Sequence, residues 1–431
     1  MSIRRTMLVA RELGRMGLML GVEWWQTGLV FNPMLGQARS DPYPLYRRLR
    51  EKDPVHRSQA IFGWILFRHA DCLELLRDPR FSADDRNFVG FARQQAIAVA
   101  DGLADPDGKD EPVMLRRDPP DHTRLRSLVN KAFTPRAIEK LRARVQEIAD
   151  ELLTKLARRG EFDLIADFAV PLPVTVIAEM LGVPTKDQAK FKLWSDHLVG
   201  FLDPQASPGA KILRRTADEF FAYMGGIAAE RRLQPADDLI TGLVQAEDGG
   251  QRLSEQELHG TLALLLAAGN ETTTNLIGNG MLALLQHPQQ LERLRQQPEL
   301  IDGAVEELLR WDSPVQFTAR IPTADVELRG HRFKKGEAII AVLGSANRDP
   351  AVFDEPDRLD VGRAENRHLS FGYGIHFCLG AQLARLEAQI AFRELLRRMP
   401  DLRMPEFKPR WRRLTFLRGL ERLPLRNGVG A

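Results

Sequence analysis

The chain has 431 residues, 44% hydrophobic and 28% charged, with a net charge of +3 from 61 basic and 58 acidic side chains. These values suit a globular protein with a substantial core and give no single-sign charge of the kind a nucleic acid partner requires. The only two cysteines, Cys72 and Cys378, exclude a secreted disulfide framework, so a reducing, cytoplasmic setting is expected.

Residues 1–40 read as an extension to one large domain over 41–431, because no linker, repeat or low-complexity tract divides the chain. Segment 7–31 is apolar in parts, but Arg11, Glu12, Arg15 and Glu23 interrupt it. It therefore falls short of the ~20 apolar residues a membrane span needs, and no small-residue cleavage site marks a signal peptide. An amphipathic helix is expected here, packed on the domain or lying on a membrane surface through Trp24 and Trp25.

Helical periodicity dominates the rest. Segment 138–156 keeps Ile138, Leu141, Val145, Ile148, Leu152 and Leu156 on one stripe, with charged residues opposite. Further helices are predicted over 43–51, 69–77, 121–132, 173–181, 186–200, 210–232, 255–286, 289–296, 299–311 and 379–399. Strand-like pieces are few: 55–57, 65–67, 326–328 and 338–343. Stretch 104–120, rich in Asp, Pro and Gly, reads as a surface loop. The expected fold class is mainly α with a small β region. Cys72, within the 69–77 helix, reads as a buried small hydrophobe.

The helix predicted over 255–286 opens on the capping box Ser254-Glu255-Gln256-Glu257 and stops at His287-Pro288. At about 30 residues it is on the order of 45 Å long, enough to cross the domain. Near its middle sit Gly269, Glu271 and Thr272, each out of place in a buried apolar helix. An interior Gly costs about 1 kcal/mol relative to Ala, and a buried carboxyl costs more unless partnered. Together they point to a site.

The strongest local signal is Phe371-Gly372-Tyr373-Gly374-Ile375-His376-Phe377-Cys378-Leu379-Gly380, followed at once by an amphipathic helix. Cys378 is placed at or just before a helix N-terminus, where unpaired N–H groups favour a thiolate. Glycines at 372, 374 and 380 permit tight turns and close approach to something flat. Such a thiolate suits a nucleophile or a metal ligand. A lone zinc site does not fit, because no second Cys lies nearby and the nine His are scattered.

This loop resembles the haem-binding loop of the cytochromes P450, and three further segments agree in order. Glu307-Leu308-Leu309-Arg310 resembles the family's ExxR motif, Pro356-Asp357-Arg358-Leu359 the segment completing its ion-pair network, and Ala268-Gly269-Asn270-Glu271-Thr272-Thr273 the oxygen-activating turn of its long helix. The resemblance spans roughly residues 40 to 425 and is of the bacterial type. It implies the family's fold, with the long helix crossing over haem b, and Cys378 as the axial thiolate on iron. His122, Arg126, Arg320 and His376 match the contacts to the haem propionates, carboxylates that need charged donors when buried. Glu307, Arg310 and Arg358 match a structural network. Thr272 and Glu271 match an alcohol–acid pair that hydrogen-bonds dioxygen and relays protons; a helical Thr can instead bond the carbonyl four back, here Ala268, and widen the turn.

The reaction implied is insertion of one atom of O2 into a C–H bond or double bond of a hydrophobic small molecule, in a monomeric enzyme. Electrons would come from NAD(P)H through a ferredoxin reductase and a ferredoxin. Arg116, Arg117, Arg124, Lys131 and Arg136 offer a basic face to such an acidic partner, or a solvated helix surface. Segments 88–99, 198–202, 264–268, 316–318 and 415–417 are the implied, largely apolar pocket lining. A peroxygenase using H2O2 is disfavoured by Glu271-Thr272. A non-catalytic haem-thiolate sensor would show no substrate-induced change of iron spin state.

Overall fold

The computed structural model describes residues 17, 19–25, 28–31, 40–59, 61, 63–100, 102, 104 and 113–428. Among these, helices predominate and the sheets are small, as the periodicity predicts. The long helix runs Glu255–Gln286, and its capping box closes reciprocally: Ser254 Oγ accepts from Glu257 N (3.2 Å) and Glu257 Oε2 from Ser254 N (2.8 Å). Helices Pro171–Met180, Gln188–Leu198, Ile301–Trp311 and Ala381–Arg398 pack around it. Their apolar faces make one continuous core, including Leu262, Leu266, Ile277, Met281, Leu308 and Phe392. Burial on this scale, at about 25 cal/mol per Å² of apolar surface, is what fixes a helix of marginal intrinsic stability in place.

The principal sheet has five strands in the order Val55–Ser58, Gly63–Leu66, Ala338–Ala341, Thr318–Pro322, Phe81–Ser82. Only the pairing of Gly63–Leu66 with Ala338–Ala341 is parallel. Beside it, helix Tyr43–Lys52 and residues Leu29 and Phe31 form a smaller apolar cluster with Tyr46, Leu49, Ile65 and Phe67. Residues 19–25 are helical, and Glu23 anchors them: its carboxylate accepts from Ser58 Oγ (2.9 Å) and Gln59 N (2.6 Å). Trp24 and Trp25 face outward. The rest of the expected N-terminal helix, and positions 105–112 of the expected surface loop, lie outside the described residues. No helix among the described residues is long and apolar enough to cross a membrane.

Two local departures have physical causes. The stripe over 138–156 is two helices, Pro135–Lys140 and Arg142–Ala157. Thr134 starts the first early, its Oγ1 accepting from Ala137 N (3.2 Å) just ahead of Pro135. Helix Phe91–Ala100 buries none of its residues, so it leaves no apolar stripe to read.

Candidate functional site

The Cys378 loop is shaped by backbone demands. Gly372 and Gly374 have φ of 70° and 73°, and a Cβ on Gly374 would lie 2.5 Å from the Leu76 carbonyl oxygen. No side chain fits there. A short turn at Gly374–His376 follows, and Cys378 N donates to Phe371 O (2.9 Å), closing the loop. Gly380 has φ −84° and no protein atom within 4 Å of where a Cβ would lie, so its backbone conformation alone does not require glycine.

Helix Ala381–Arg398 begins three residues beyond Cys378, so the thiol sits near its N-terminus as expected. Cys378 reaches solvent at the mouth of the loop, yet protein surrounds it closely enough that desolvation raises its pKa. The Gly380 N–H and the charges of Arg126 and Arg385 pull the other way and lose. A thiol that coordinates a cation is deprotonated outright.

Four predicted donors converge beside it. His122 and His376 stack at 4.3 Å between ring centroids. Both nitrogens of His122 and Nε2 of His376 are buried without a hydrogen-bond partner. Desolvation, then the charges of Arg320, His122 and Arg126, drives the His376 pKa down to about 3. Arg320 is buried in the middle of strand Thr318–Pro322, opposite Ile339, and pushed down to about 10 by desolvation. Arg126, projecting from helix Asp121–Ala132, has no carboxylate partner among the described residues. Cationic groups crowded together with orphaned imidazole nitrogens are costly unless anions join them. The donor set therefore fits a group carrying two carboxylates and an iron within reach of a cysteine. The three metal-ligating side chains that a protein-only centre would require are not clustered among the described residues.

On the long helix, Thr272 Oγ1 donates to Ala268 O (2.8 Å), and the helix runs unbroken through this turn. The Thr272 oxygen keeps its lone pairs available to accept. Glu271 turns away from Thr272. Its carboxylate pairs with Arg412 of the C-terminal loop and accepts from Asn275 Nδ2 (3.1 Å). Arg412 had no local signal in the sequence: it arrives from 141 residues away, and only the fold brings it there.

The ion-pair network is corrected at one position. Glu307 and Arg310, both fully buried, bond at 2.7 and 2.8 Å. The third member is Arg363, whose Nε donates to Glu307 Oε2 (3.1 Å), joined by Asn366 Nδ2 (3.1 Å). The Arg358 side chain is exposed and pairs with Glu355, while its carbonyl accepts from Arg310 Nη2 (3.2 Å). A turn at 355–358 points that side chain outward, which motif spacing cannot reveal. The basic face is also less bare than its sequence: Arg116 pairs with Asp85, Arg124 with Glu257 and Lys131 with Asp248. Arg117 and Arg136 have no carboxylate partner among the described residues.

A cysteine loop beside two arginines and two histidines, in a mainly helical fold built around one long helix, suits a haem-thiolate protein. The family described as Cytochrome P450 matches residues 90–412. The chain is 44% identical over 407 residues to the Polyketide biosynthesis cytochrome P450 PksS of Bacillus subtilis (strain 168), covering 92% of this chain and 98% of that protein. Its solved structure superposes with a TM-score of 0.83 at 43% identity, covering 92% of this chain and 100% of that one. Cytochrome P450 monooxygenase PikC of Streptomyces venezuelae is 43% identical over 397 residues (90% of this chain, 91% of the relative). Vitamin D(3) 25-hydroxylase of Pseudonocardia autotrophica is 42% identical over 394 (90% and 94%). The chain belongs to the cytochrome P450 family. As a member it is a haem b enzyme, a monooxygenase that uses O2.

Proposed function

We propose that Cys378 is the axial ligand of the haem and that His122, Arg126, Arg320 and His376 hold its propionates. The observation that carries this is the convergence of those four donors, three imidazole nitrogens orphaned, beside the one cysteine in a glycine-shaped loop. Bound haem supplies the chemistry: one atom of O2 enters the substrate, and the other leaves as water with two electrons and two protons. Thr272 positions a proton donor through its free lone pairs, and Glu271, tethered by Arg412 and Asn275, passes protons from the solvent side of that loop. The apolar segments 88–99, 198–202, 264–268, 316–318 and 415–417 bind the substrate and exclude water.

The substrate is a bulky hydrophobic molecule of polyketide or sterol-like size. Two relatives support this, one named for polyketide biosynthesis and one for hydroxylation of vitamin D(3). Electrons come from NAD(P)H through a ferredoxin reductase and a ferredoxin in the cytosol, and Arg117 and Arg136 are the cations left to meet an acidic partner. The test is the reduced protein under carbon monoxide. The red-shifted Soret band of thiolate-ligated haem is expected for wild type and for Cys72→Ala, and its loss for Cys378→Ala. A band of histidine-ligated haem in wild type overturns the assignment.

A further inference from the structure

Residues 19–25 form a short helix whose orientation is the reverse of what water alone would select. Glu23, its only charged residue, turns inward and is 1% exposed. Trp24 and Trp25 are 62% and 81% exposed, and Val22 is 45% exposed. The other four tryptophans of the chain, Trp64, Trp194, Trp311 and Trp411, are buried or half-buried. Hiding a carboxylate while showing two indoles costs the folded chain twice, since the charge loses its water and the rings keep theirs.

The helix is held in this orientation from two sides. Glu23 accepts from Ser58 Oγ (2.9 Å) and Gln59 N (2.6 Å), and its Oε2 lies 3.7 Å from His56 Nε2. Those partners belong to strand Val55–Ser58, at the edge of the principal sheet, and to the turn that follows it. On the other side Gly28, at φ 67°, donates its N–H to Trp24 O (2.8 Å) and turns the chain inward. Leu29 and Phe31 then enter the apolar cluster of Tyr46, Leu49 and Phe67. The outward face is left with Gly21, Val22, Trp24 and Trp25, and it carries no charge.

The excess charge of the chain lies next to this face in sequence. Residues 1–18 contain Arg4, Arg5, Arg11 and Arg15 against Glu12 alone, a net charge of +3. That equals the net charge of the whole chain, so the remainder is neutral overall. An exposed indole pair beside a cationic segment meets the two requirements of an anionic lipid surface. The amphipathic rings suit the headgroup layer, and the positive charge suits the phosphates. A soluble polyanion would answer the arginines but offers exposed indoles no apolar layer to enter.

We propose that this helix docks the protein on the surface of a bilayer containing anionic lipid. Val22, Trp24 and Trp25 enter the headgroup layer, and the arginines of residues 1–18 meet the lipid phosphates. Glu23 sets the orientation by fastening the opposite face to the sheet edge. The contact is peripheral and reversible, because one short apolar face holds weakly. It is independent of which residues bind the haem.

The purified haem protein is sedimented with vesicles of phosphatidylcholine alone, or of phosphatidylcholine with about one-third phosphatidylglycerol. Each net positive charge near anionic lipid strengthens binding by about fivefold, so the anionic vesicles should be preferred by on the order of a hundredfold at low salt. The preference should collapse in about 0.5 M NaCl. The double variant Trp24→Ser, Trp25→Ser should lose about tenfold or more of the binding to anionic vesicles. Both rings are exposed, so the variant should keep the carbon monoxide spectrum of wild type. Tryptophan emission gives a second reading: anionic vesicles should shift it to the blue in wild type and not in the double variant. No binding to anionic vesicles overturns the proposal, as does wild-type binding by the double variant. Binding to duplex DNA as tight as to anionic vesicles, and unchanged in the double variant, would mark the arginines as a polyanion site and overturn it too.

Discussion

Thr272 and Glu271 are neighbours in sequence whose side chains serve different partners. The Thr272 hydroxyl spends its proton on Ala268 O, and Glu271 is held by Arg412 and Asn275. If Thr272 only braced the backbone, removing its hydroxyl would cost a fraction of a kcal/mol and change nothing else. The proton-positioning role predicts more: Thr272→Ala should retain haem and consume NAD(P)H and O2, but release more H2O2 and less product. Arg412→Leu, which frees Glu271 from its tether, should slow turnover without changing haem content. Product formed per NAD(P)H consumed decides between the roles, and wild-type coupling in Thr272→Ala refutes proton positioning. A second residue-scale test separates Arg363 from Arg358. Arg363 donates to the buried Glu307, so Arg363→Leu should destabilise by on the order of 3 kcal/mol in denaturant melts. The exposed Arg358 side chain predicts less than about 0.5 kcal/mol for Arg358→Leu.

At the scale of elements, the long helix reads clearly because its capping box and its length are local properties, and the structure ends it at the same residues, Glu255–Gln286. The short strands Phe81–Ser82 and Thr318–Pro322 were not legible, since two to five residues cannot display a period and their pairing partners lie far along the chain. The cysteine loop and the four donors were legible as residue types in order. Their convergence, the Arg412 tether and the Arg363 substitution for Arg358 were not, because each depends on a turn or a long-range contact. The glycines of the long helix make the same point. Gly280 packs where a Cβ would meet Phe392 Cζ at 2.6 Å and Leu308 Cδ1 at 3.0 Å, while nothing lies within 4 Å of a Cβ on Gly269. Gly280→Ala is therefore expected to lower stability by about 1–2 kcal/mol, overpacking outweighing the gain in helix propensity. Gly269→Ala should raise it by up to about 1 kcal/mol. Thermal melts of the two variants, moving in opposite directions, check the packing of this helix.

At the scale of the whole molecule, the response to pH is set by a few groups whose folded-state pKa values are far from ordinary. Glu387, buried on helix Ala381–Arg398 with Oε2 unpartnered, is raised by desolvation to about 8. His56 is raised to about 9: desolvation opposes the shift, and its hydrogen bond to Asp53 and the neighbouring Glu23 carboxylate overcome it. In both cases the folded chain holds a proton that the unfolded chain gives up at lower pH, near 4.5 for Glu and 6.5 for His. Their stabilising contributions are complete below those unfolded values and decline as pH rises towards the folded ones. Between pH 6.5 and 8 both decline together, a slope of about 2.7 kcal/mol per pH unit for two protons. Glu306 works in the opposite direction on the acid side. Desolvation opposes its shift, but hydrogen bonds from Arg385 and His368 lower it to about 2, so its contribution is present above pH 4.5 and fades as pH falls towards 2. The prediction is a Tm that drops steeply from pH 6.5 to 8 and more gently from 8 to 9. Glu387→Gln keeps the shape of the side chain and removes the titration, so it should halve the slope between 6.5 and 8 and raise Tm most at alkaline pH. His56→Gln should flatten the limb between 8 and 9. Melting curves of the three proteins at half-unit intervals test this, and a Glu387→Gln profile parallel to wild type would show that Glu387 does not hold its proton in the folded protein.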